Sequence, residues 1–312
     1  MNSFLTIKQQ IKEFVYKNEV YLKPVLKLVL ALMALLMINN KLGYMDKIDN
    51  MSVVLIAALM CSFMPYSFII LISALFILLH LYALSLECAI VGLVLFMVLF
   101  LLYFRFSPKD TMVMVLMPFC SAIGIPYVIP LTMGILGAPV SAVSVACSLI
   151  VTFFVNYVAG IAGELSSMEA ADMASKFRTI IDGLLDSKEL ITFIVVFAVV
   201  IIAVYIVKRL PIAYSFTISL GVGAVLLIIM TPIVGGVLHA SVSFMKLLIG
   251  TIFSLLIAFV IQIFAFTLDY HRTEKVQFED DDYYYYVKAV PKATAGRTAR
   301  RRKAKRRPVS EE

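Results

Sequence analysis

Long apolar segments separated by short polar ones make up most of this chain. Most of them are about 17 residues or longer, the length that a helix needs to cross a hydrocarbon core of about 30 Å. Residues 51–84 form an apolar stretch that would be about 51 Å long as one helix, so we predict two short spans that meet near Pro65. The predicted spans are residues 22–39, a pair within 51–84, 88–104, 140–158, 190–207, 212–234 and 242–267.

Prolines and glycines interrupt residues 111–139 repeatedly. Because each interior proline removes a helix hydrogen bond and clashes with the preceding turn, this segment is predicted to be a broken helix pair or a re-entrant loop. Irregular backbone is tolerated at membrane depth only where protein buries it or water lines it. The segment is therefore our candidate for lining a path, together with a polar residue of the next span. The candidate path-lining residues are Pro118, Gly124, Pro126, Pro130, Gly134, Gly137, Pro139 and Asn156.

Two segments outside the spans have helical amphipathic patterns. Residues 1–21 place Ile7, Ile11 and Phe14 on one side of a helix, which predicts an interfacial helix on the membrane surface before the first span. Residues 159–189 are polar overall but carry an apolar stripe that includes Phe177 and Ile180. We predict a surface helix there, resting on the membrane or on the bundle.

The charges between the predicted spans orient them. Basic residues near span ends stay cytoplasmic. With the N-terminus inside, Lys208, Arg209 and the basic tail are also inside only if residues 111–136 cross an even number of times. Residues 160–189 hold three basic and six acidic side chains, which suits the opposite side. We predict an all-α, polytopic membrane bundle of about eight full spans plus a broken hairpin, or up to ten spans if the hairpin crosses. Both termini are expected to be cytoplasmic, and the location a bacterial plasma (inner) membrane.

The predicted domains are the interfacial helix 1–21, the transmembrane domain 22–268 and a tail, 269–312, without regular structure. Ten of the 27 basic residues lie between Lys288 and Arg307, which suits binding to anionic lipid headgroups. A run of tyrosines with high β propensity could add as a strand to a partner or lie at the headgroup boundary. We expect no specific nucleic-acid binding, since no folded reading module accompanies the tail. The candidate tail docking residues are Tyr283, Tyr284, Tyr285, Tyr286, Arg300, Arg301, Arg302, Arg306 and Arg307.

Composition and motifs narrow the chemistry. Hydrophobic residues make up 62% of the chain and charged residues 15%, against about 25% charged in soluble domains. The four cysteines fall in apolar segments and are expected to be buried and unpaired. His80 is expected to pack near a span end, and Asn156 and Gln262 to form hydrogen bonds between helices. No metal-ligand spacing, phosphate loop or nucleophile motif is present, so we expect no catalytic residue, metal or cofactor.

These patterns support three hypotheses of different classes. The first is a permease-like component of a transport or export system that works with a cytosolic protein partner, with residues 111–139 lining its path. The second is a non-transporting membrane scaffold that recruits a cytosolic protein or anionic lipid through its tail. The third, a membrane-embedded transferase, is the weakest because no acid/base pair is visible in the spans.

Overall fold

The structure, a computed structural model, describes residues 10–11, 13–167, 173–212, 214–266, 274–279 and 284–289. Two strands, β1 (Glu274–Glu279) and β2 (Tyr284–Ala289), follow the helices. The helices in chain order are α1 (Glu19–Leu42), α2 (Met51–Phe63), α3 (Tyr66–Leu84), α4 (Leu86–Phe106), α5 (Thr111–Ile123), α6 (Val128–Leu136), α7 (Ser141–Ser167), α8 (Met173–Leu185), α9 (Lys188–Lys208), α10 (Ser215–Leu238) and α11 (Phe244–Ala265).

Long apolar helices confirm a helical, multi-pass membrane bundle. Among the described residues, seven helical segments are long and apolar enough to cross a membrane, and α8 and α9 together form one of them. Two further apolar helices, α2 and α5, have only 13 residues each, or about 20 Å of length.

Residues 51–84 form two helices, as predicted, and the first of them runs antiparallel to α1. Ser62 Oγ donates to Pro24 O (2.8 Å) near the end of α2, and Asn39 Nδ2 donates to Ile48 O (3.0 Å) before its start. Lys27 Nζ donates to Met64 O at 2.8 Å, so a cation pairs a carbonyl that the break beside Pro65 leaves free. The two ends of α2 therefore lie beside the two ends of α1.

Hydrogen bonds show which other helix ends share a face of the bundle. Lys208 Nζ donates to Gly137 O (3.1 Å), and Ser107 Oγ donates to Val140 O (2.9 Å). The last turns of α4, α6 and α9 and the start of α7 therefore meet on one face, which we call the Lys208 face.

The opposite face, which we call the Glu87 face, carries the first turns of α4 and α9. Glu87 lies in the first turn of α4, and Ser241 Oγ, before α11, donates to Glu189 Oε1 of α9 at 3.2 Å. His80 Nε2 pairs with Asn39 Oδ1 at 3.0 Å, and Met45 N–H donates to His80 Nδ1 at 3.2 Å. Both ring nitrogens of His80 are thus used to hold the loop between α1 and α2, which confirms its expected packing role.

Three apolar clusters fill the interior, and α5 and α7 contribute to clusters on both sides. Val113 of α5 and Leu149 of α7 pack with α6, α9, α10 and α11. Phe154 of α7 packs instead with α3, α4 and α8, while Val115 of α5 packs with α1, α2 and α3. These two helices therefore form the partition between the halves of the bundle. The cysteines confirm the prediction for them, since Cys61, Cys88, Cys120 and Cys147 are all buried and free.

The polar segment after α7 differs from the prediction at its start. The span was expected to end at Val158, but α7 remains helical to Ser167, about two turns further. The extension is stabilised by packing, because Leu165 is buried and Tyr157 OH donates to Thr179 O of α8 at 3.0 Å. Ile180 of α8 is fully buried. Of the two expected placements, α8 thus rests on the bundle.

The N-terminal segment is described only in part. Residues 13–17 are helical, Asn18 forms a turn, and α1 begins at Glu19, three residues before the predicted span. The rest of the predicted interfacial helix, residues 1–9 and 12, lies outside the described residues. Phe14 and Tyr16 are 61% and 81% exposed, so this turn of helix leaves its aromatic side chains off the bundle.

The tail contains two strands where we expected no regular structure. β1 and β2 pair antiparallel, with Phe278 opposite Tyr285 and Val276 opposite Val287. Valine and aromatic residues favour extended backbone, and pairing gives the backbone groups of each strand partners. The all-α description therefore applies to the bundle, and the tail adds a β-hairpin to it. Residues 290–312 lie outside the described residues.

Glycines allow α6 to approach its neighbours closely. A Cβ on Gly134 would lie 2.6 Å from Val204 Cβ, and one on Gly223 would lie 2.5 Å from Val204 Cγ2. Both distances are far below van der Waals contact, so α6 and α10 close on Val204 of α9 at a separation that requires glycine. This packing holds α6 inside the bundle although it has only nine residues.

Replacing Gly134 by alanine is expected to destabilise the bundle by about 1–3 kcal/mol, because the new methyl group overlaps a side chain fixed on a neighbouring helix. The measurement is the midpoint of unfolding of the purified chain in mild detergent. Gly221→Ala is the matched control, since a Cβ there meets nothing within 4 Å, and it should be neutral or stabilising. Equal midpoints for the two variants would contradict the close approach.

Candidate functional site: a broken hairpin and an adjoining cavity

The Pro/Gly-rich segment forms a hairpin that begins and ends on the Lys208 face. Ser107 precedes α5 and Val140 follows α6, and these two residues are joined by their 2.9 Å hydrogen bond. Lys208 Nζ also donates to Ile135 O in the last turn of α6. The charge pattern predicts that this segment crosses the membrane an even number of times. Such a crossing requires both ends of the segment to lie on the same face of the bundle.

The tip of the hairpin stays inside the bundle. Gly124 O lies so close to α11 that a Cβ on Gly250 would be 2.8 Å from it, and Ile125 O is 3.5 Å from Ser254 Oγ. Gly250 and Ser254 lie about 9 and 15 Å along α11 from its start on the Glu87 face. Because α11 is about 33 Å long, the tip lies at an intermediate depth. The hairpin therefore turns back within the bundle, short of the Glu87 face.

Backbone hydrogen bonds close the tip. Gly124 adopts a left-handed conformation (φ 85°) that ends α5, and Ile125 N–H donates to Cys120 O at 2.8 Å. On the other side, Ile129 N–H donates to Pro126 O at 3.3 Å. The tip is thus a packed helix-to-helix turn, and these amides are not free to bind a ligand.

Pro118 interrupts α5, and a side chain of α7 compensates for it. Proline has no N–H for the carbonyl four residues earlier, which is Met114 O. Ser148 Oγ lies 3.3 Å from Met114 O and 3.4 Å from Val113 O. A neighbouring hydroxyl therefore supplies a donor for the carbonyl that Pro118 leaves without one, as occurs at prolines in other membrane helices.

A cavity of about 100 Å³ lies on the other side of α5. It is bounded by α1, α3, α4, α5 and α7, and its lining is mainly apolar, with Phe96, Phe100, Met114 and Pro118 among the contributors. One water needs about 10–15 Å³ of such cavity volume, so this cavity has room for several waters or for part of a hydrocarbon chain. The partition helices α5 and α7 therefore have a packed side toward α6 and an open side toward this cavity.

A few polar side chains also line the cavity, and they differ in whether they have a hydrogen-bond partner. Asn156 is exposed and has no hydrogen-bond partner among the described residues, and Ser73 Oγ is a buried atom without one. The hydroxyl of Thr152 is satisfied by Ser148 O at 2.7 Å. Lys41, in the last turn of α1, is the charged member of the lining.

Gln262 and Asn156 were both expected to form hydrogen bonds between helices, and only Gln262 does so among the described residues. Gln262 Nε2 donates to Thr217 Oγ1 of α10 at 2.9 Å, as predicted. Asn156 makes no such bond and instead faces the cavity, because its position on α7 lies opposite the gap beside α1.

The predicted path-lining residues fall on two sides of the hairpin. Pro118 and Asn156 line the cavity, whereas Pro130 and Gly134 are buried in the packing of α6. The prediction did not include Lys41, Ser73 or Thr152, because single polar residues in apolar spans give no sign of which cavity they face. The other predicted residues, which do not line this cavity, are Gly124, Pro126, Gly137 and Pro139.

The tail candidates are only partly visible. Tyr284, Tyr285 and Tyr286 lie on β2, opposite Glu279, Phe278 and Gln277 in register. Tyr283 and the five arginines lie outside the described residues, so their predicted docking role stays a prediction. Within the described part of the chain, no three His, Cys, Asp or Glu side chains form a group that could hold a metal ion.

Comparisons with known proteins give no independent indication of function. No protein-family model, no curated protein and no solved structure matches this chain. The hairpin, the cavity and the distribution of charge are the features of this chain that bear on its function.

The pairing of Pro118 with Ser148 predicts a specific coupling between them. Ser148→Ala should destabilise the chain by about 1–3 kcal/mol, because it leaves the Met114 carbonyl unsatisfied. In a Pro118→Ala background the restored N–H can bind that carbonyl, so the same serine replacement should cost clearly less. Unfolding midpoints of the four proteins of this double-mutant cycle in mild detergent test it. Additive effects would show that Ser148 does not serve the break at Pro118.

Proposed function

We propose that this chain is the permease-like component of a transport or export system that works with a cytosolic partner. The observation that carries the proposal is the hairpin α5–α6, which turns back inside the bundle and has a cavity beside its proline-containing helix. Broken helices at membrane depth are a recurrent way of building substrate sites in transporters. The position of α5 and α7 supports this role, since a movement of these two helices relative to α1, α3 and α4 would change the cavity that the five helices enclose.

Charge supports an orientation with the Lys208 face in the cytoplasm. Arg105, Lys109, Lys208 and Arg209 lie at this face with Asp110, and basic loops are retained inside. On the Glu87 face, α8 and the turns beside it hold more acids than bases. We propose eight crossings, with α2 as a short one, plus the re-entrant hairpin, both termini cytoplasmic, in the plasma (inner) membrane of a bacterium.

Cysteine accessibility tests this orientation. Lys47→Cys, on the Glu87 face, should react with a membrane-impermeant maleimide on intact cells, whereas Lys109→Cys, on the Lys208 face, should react only after permeabilisation. Both parent lysines are exposed, and the native cysteines are buried, which keeps the background low. The reverse pattern would overturn the proposed orientation.

A partner is required by the proposal because the bundle offers no phosphate-binding motif with which to use a nucleoside triphosphate. The tail is the proposed attachment point, since it leaves α11 at the Lys208 face. Its β-hairpin is also the specific observation that favours the alternative function, a non-transporting scaffold. A two-stranded hairpin is marginally stable alone, and an added strand from a partner would stabilise it.

Three versions of the chain separate the two functions. They are the full chain, a chain ending at Ala289, which keeps β1 and β2, and a chain ending at Phe266, which lacks both. After crosslinking and purification from native membranes, we expect the full chain to carry a partner that hydrolyses a nucleoside triphosphate. We expect the shortest chain to lose both the partner and the hydrolysis, because the attachment segment is gone.

The intermediate chain assigns the attachment, since retention of the partner there places it on the hairpin and loss places it on residues 290–312. Pro126→Ala in the full chain is the companion variant. It should keep the partner but lower the rate of hydrolysis, because it alters the hairpin and leaves the tail intact. A partner without hydrolytic activity would favour the scaffold. The absence of any protein partner would contradict the permease function and leave only a scaffold that recruits anionic lipid.

A further inference from the structure

The cavity beside α5 has a polar end and an apolar end. Lys41 and Asn156 line the part toward the Glu87 face, where α1 ends and α7 approaches its last turns. Phe100 and Met114 line the part toward the Lys208 face, where α4 ends and α5 begins. From Ala34 to Lys41 the lining of α1 extends over about 10 Å. The lining of the cavity thus changes from charged and polar side chains near the Glu87 face to apolar side chains near the Lys208 face.

Asn156 shows that this space is not sealed from the membrane. It lies about 22 Å along α7 from the Lys208 face, its side chain is exposed, and it has no partner among the described residues. An amide facing only hydrocarbon would be costly. Ser73 Oγ adds a second unsatisfied polar atom inside the cavity wall. Both groups indicate an occupant that offers hydrogen-bond acceptors or donors at this depth.

The charge of the polar end specifies the occupant further. Lys41 is exposed and forms no hydrogen bond or ion pair with any described residue, so its ammonium group is available to an anion. The rest of the lining is apolar, which suits an acyl or prenyl chain and excludes a wholly polar solute, whose hydrogen bonds would be lost. A molecule that matches both ends has an anionic headgroup and a hydrocarbon chain.

We propose that this cavity is a binding site for an anionic membrane lipid. Its headgroup lies at Lys41 on the Glu87 face, its linkage region lies at the level of Asn156 and Ser73, and one hydrocarbon chain extends past Phe100 and Met114. The lipid enters sideways from the leaflet on the Glu87 face, beside Asn156. The proposal goes beyond the permease function, because binding of the lipid does not require that the lipid be moved.

Photolabelling of the full-length chain tests the site directly. The protein is reconstituted in phosphatidylcholine nanodiscs that contain a small fraction of phosphatidylglycerol with a photoreactive diazirine in one acyl chain. A phosphatidylcholine probe with the same diazirine serves for comparison. We expect labelled peptides from the cavity-facing parts of α1, α4, α5 and α7, with more label from the anionic probe. Label spread evenly over the lipid-facing helices, with no enrichment at the cavity, would overturn the proposal.

Variants then separate the headgroup from the chain. Lys41→Gln should lower the preference for the anionic probe about fivefold, the effect of one basic residue near an anionic lipid. Lys47→Gln removes the same charge from the same face but does not line the cavity, and it should leave the preference unchanged. An equal effect of both variants would mean that only general surface charge is being measured, which overturns the assigned headgroup position.

Filling the cavity with a larger side chain tests whether it binds the hydrocarbon chain of the lipid. Ala34→Phe places a ring inside the cavity and should abolish cavity labelling by both probes, whereas Ala122→Phe, at an exposed position of α5, should not. If Ala34→Phe does not fold, as judged by its elution and unfolding midpoint, Val155→Phe fills the same space from α7. Undiminished labelling in a folded filled variant would refute the site. Partner-dependent hydrolysis is measured separately, so a failure of the lipid proposal can be distinguished from a failure of the permease proposal.

Discussion

Every backbone group inside a membrane must find its partner within the protein, and this constraint organises the hairpin at the centre of the bundle. Pro118 leaves a carbonyl of α5 without its usual donor, and Ser148 of α7 approaches it. At the other end, Lys208 donates to two carbonyls at the end of α6, where a cation also complements the helix dipole. The interruption therefore exists only because side chains on α7 and α9 satisfy the groups that it frees.

Packing then gives the two sides of the hairpin different properties. On the α6 side, Gly134 and Gly223 bring helices into close contact around Val204. On the α5 side, α5 and α7 face α1, α3 and α4 across a cavity of about 100 Å³. Glycines thus allow close packing on one side of the hairpin, while the other side keeps a gap. A substrate or lipid site is expected on the side with the gap, since close-packed interiors have no room for a ligand.

The two faces of the bundle also differ from each other in their charges and loops. Short basic loops gather at the Lys208 face, whereas the Glu87 face carries α8 and a loop held by the hydrogen bonds of His80 with Asn39 and Met45. The first arrangement agrees with the proposed cytoplasmic orientation of that face. The second arrangement lies next to the polar end of the cavity, where Lys41 lines it. Function in this chain is therefore proposed at the junction of the halves and at the tail, away from the lipid-facing helices.

The sequence by itself determined the class of the protein and much of its layout, because apolar length and positive charge act locally along the chain. Long apolar segments predicted the helices, Pro65 predicted the break between α2 and α3, and the prolines between 111 and 139 predicted an irregular passage. The sequence did not show that α7 continues to Ser167, since that extension depends on α8 packing against it. It also gave no reason to connect Lys41, Ser73 and Asn156, which lie on three different helices. Only the tertiary structure decided which polar groups are satisfied and which face the cavity, because those outcomes depend on distances between helices that no local pattern encodes.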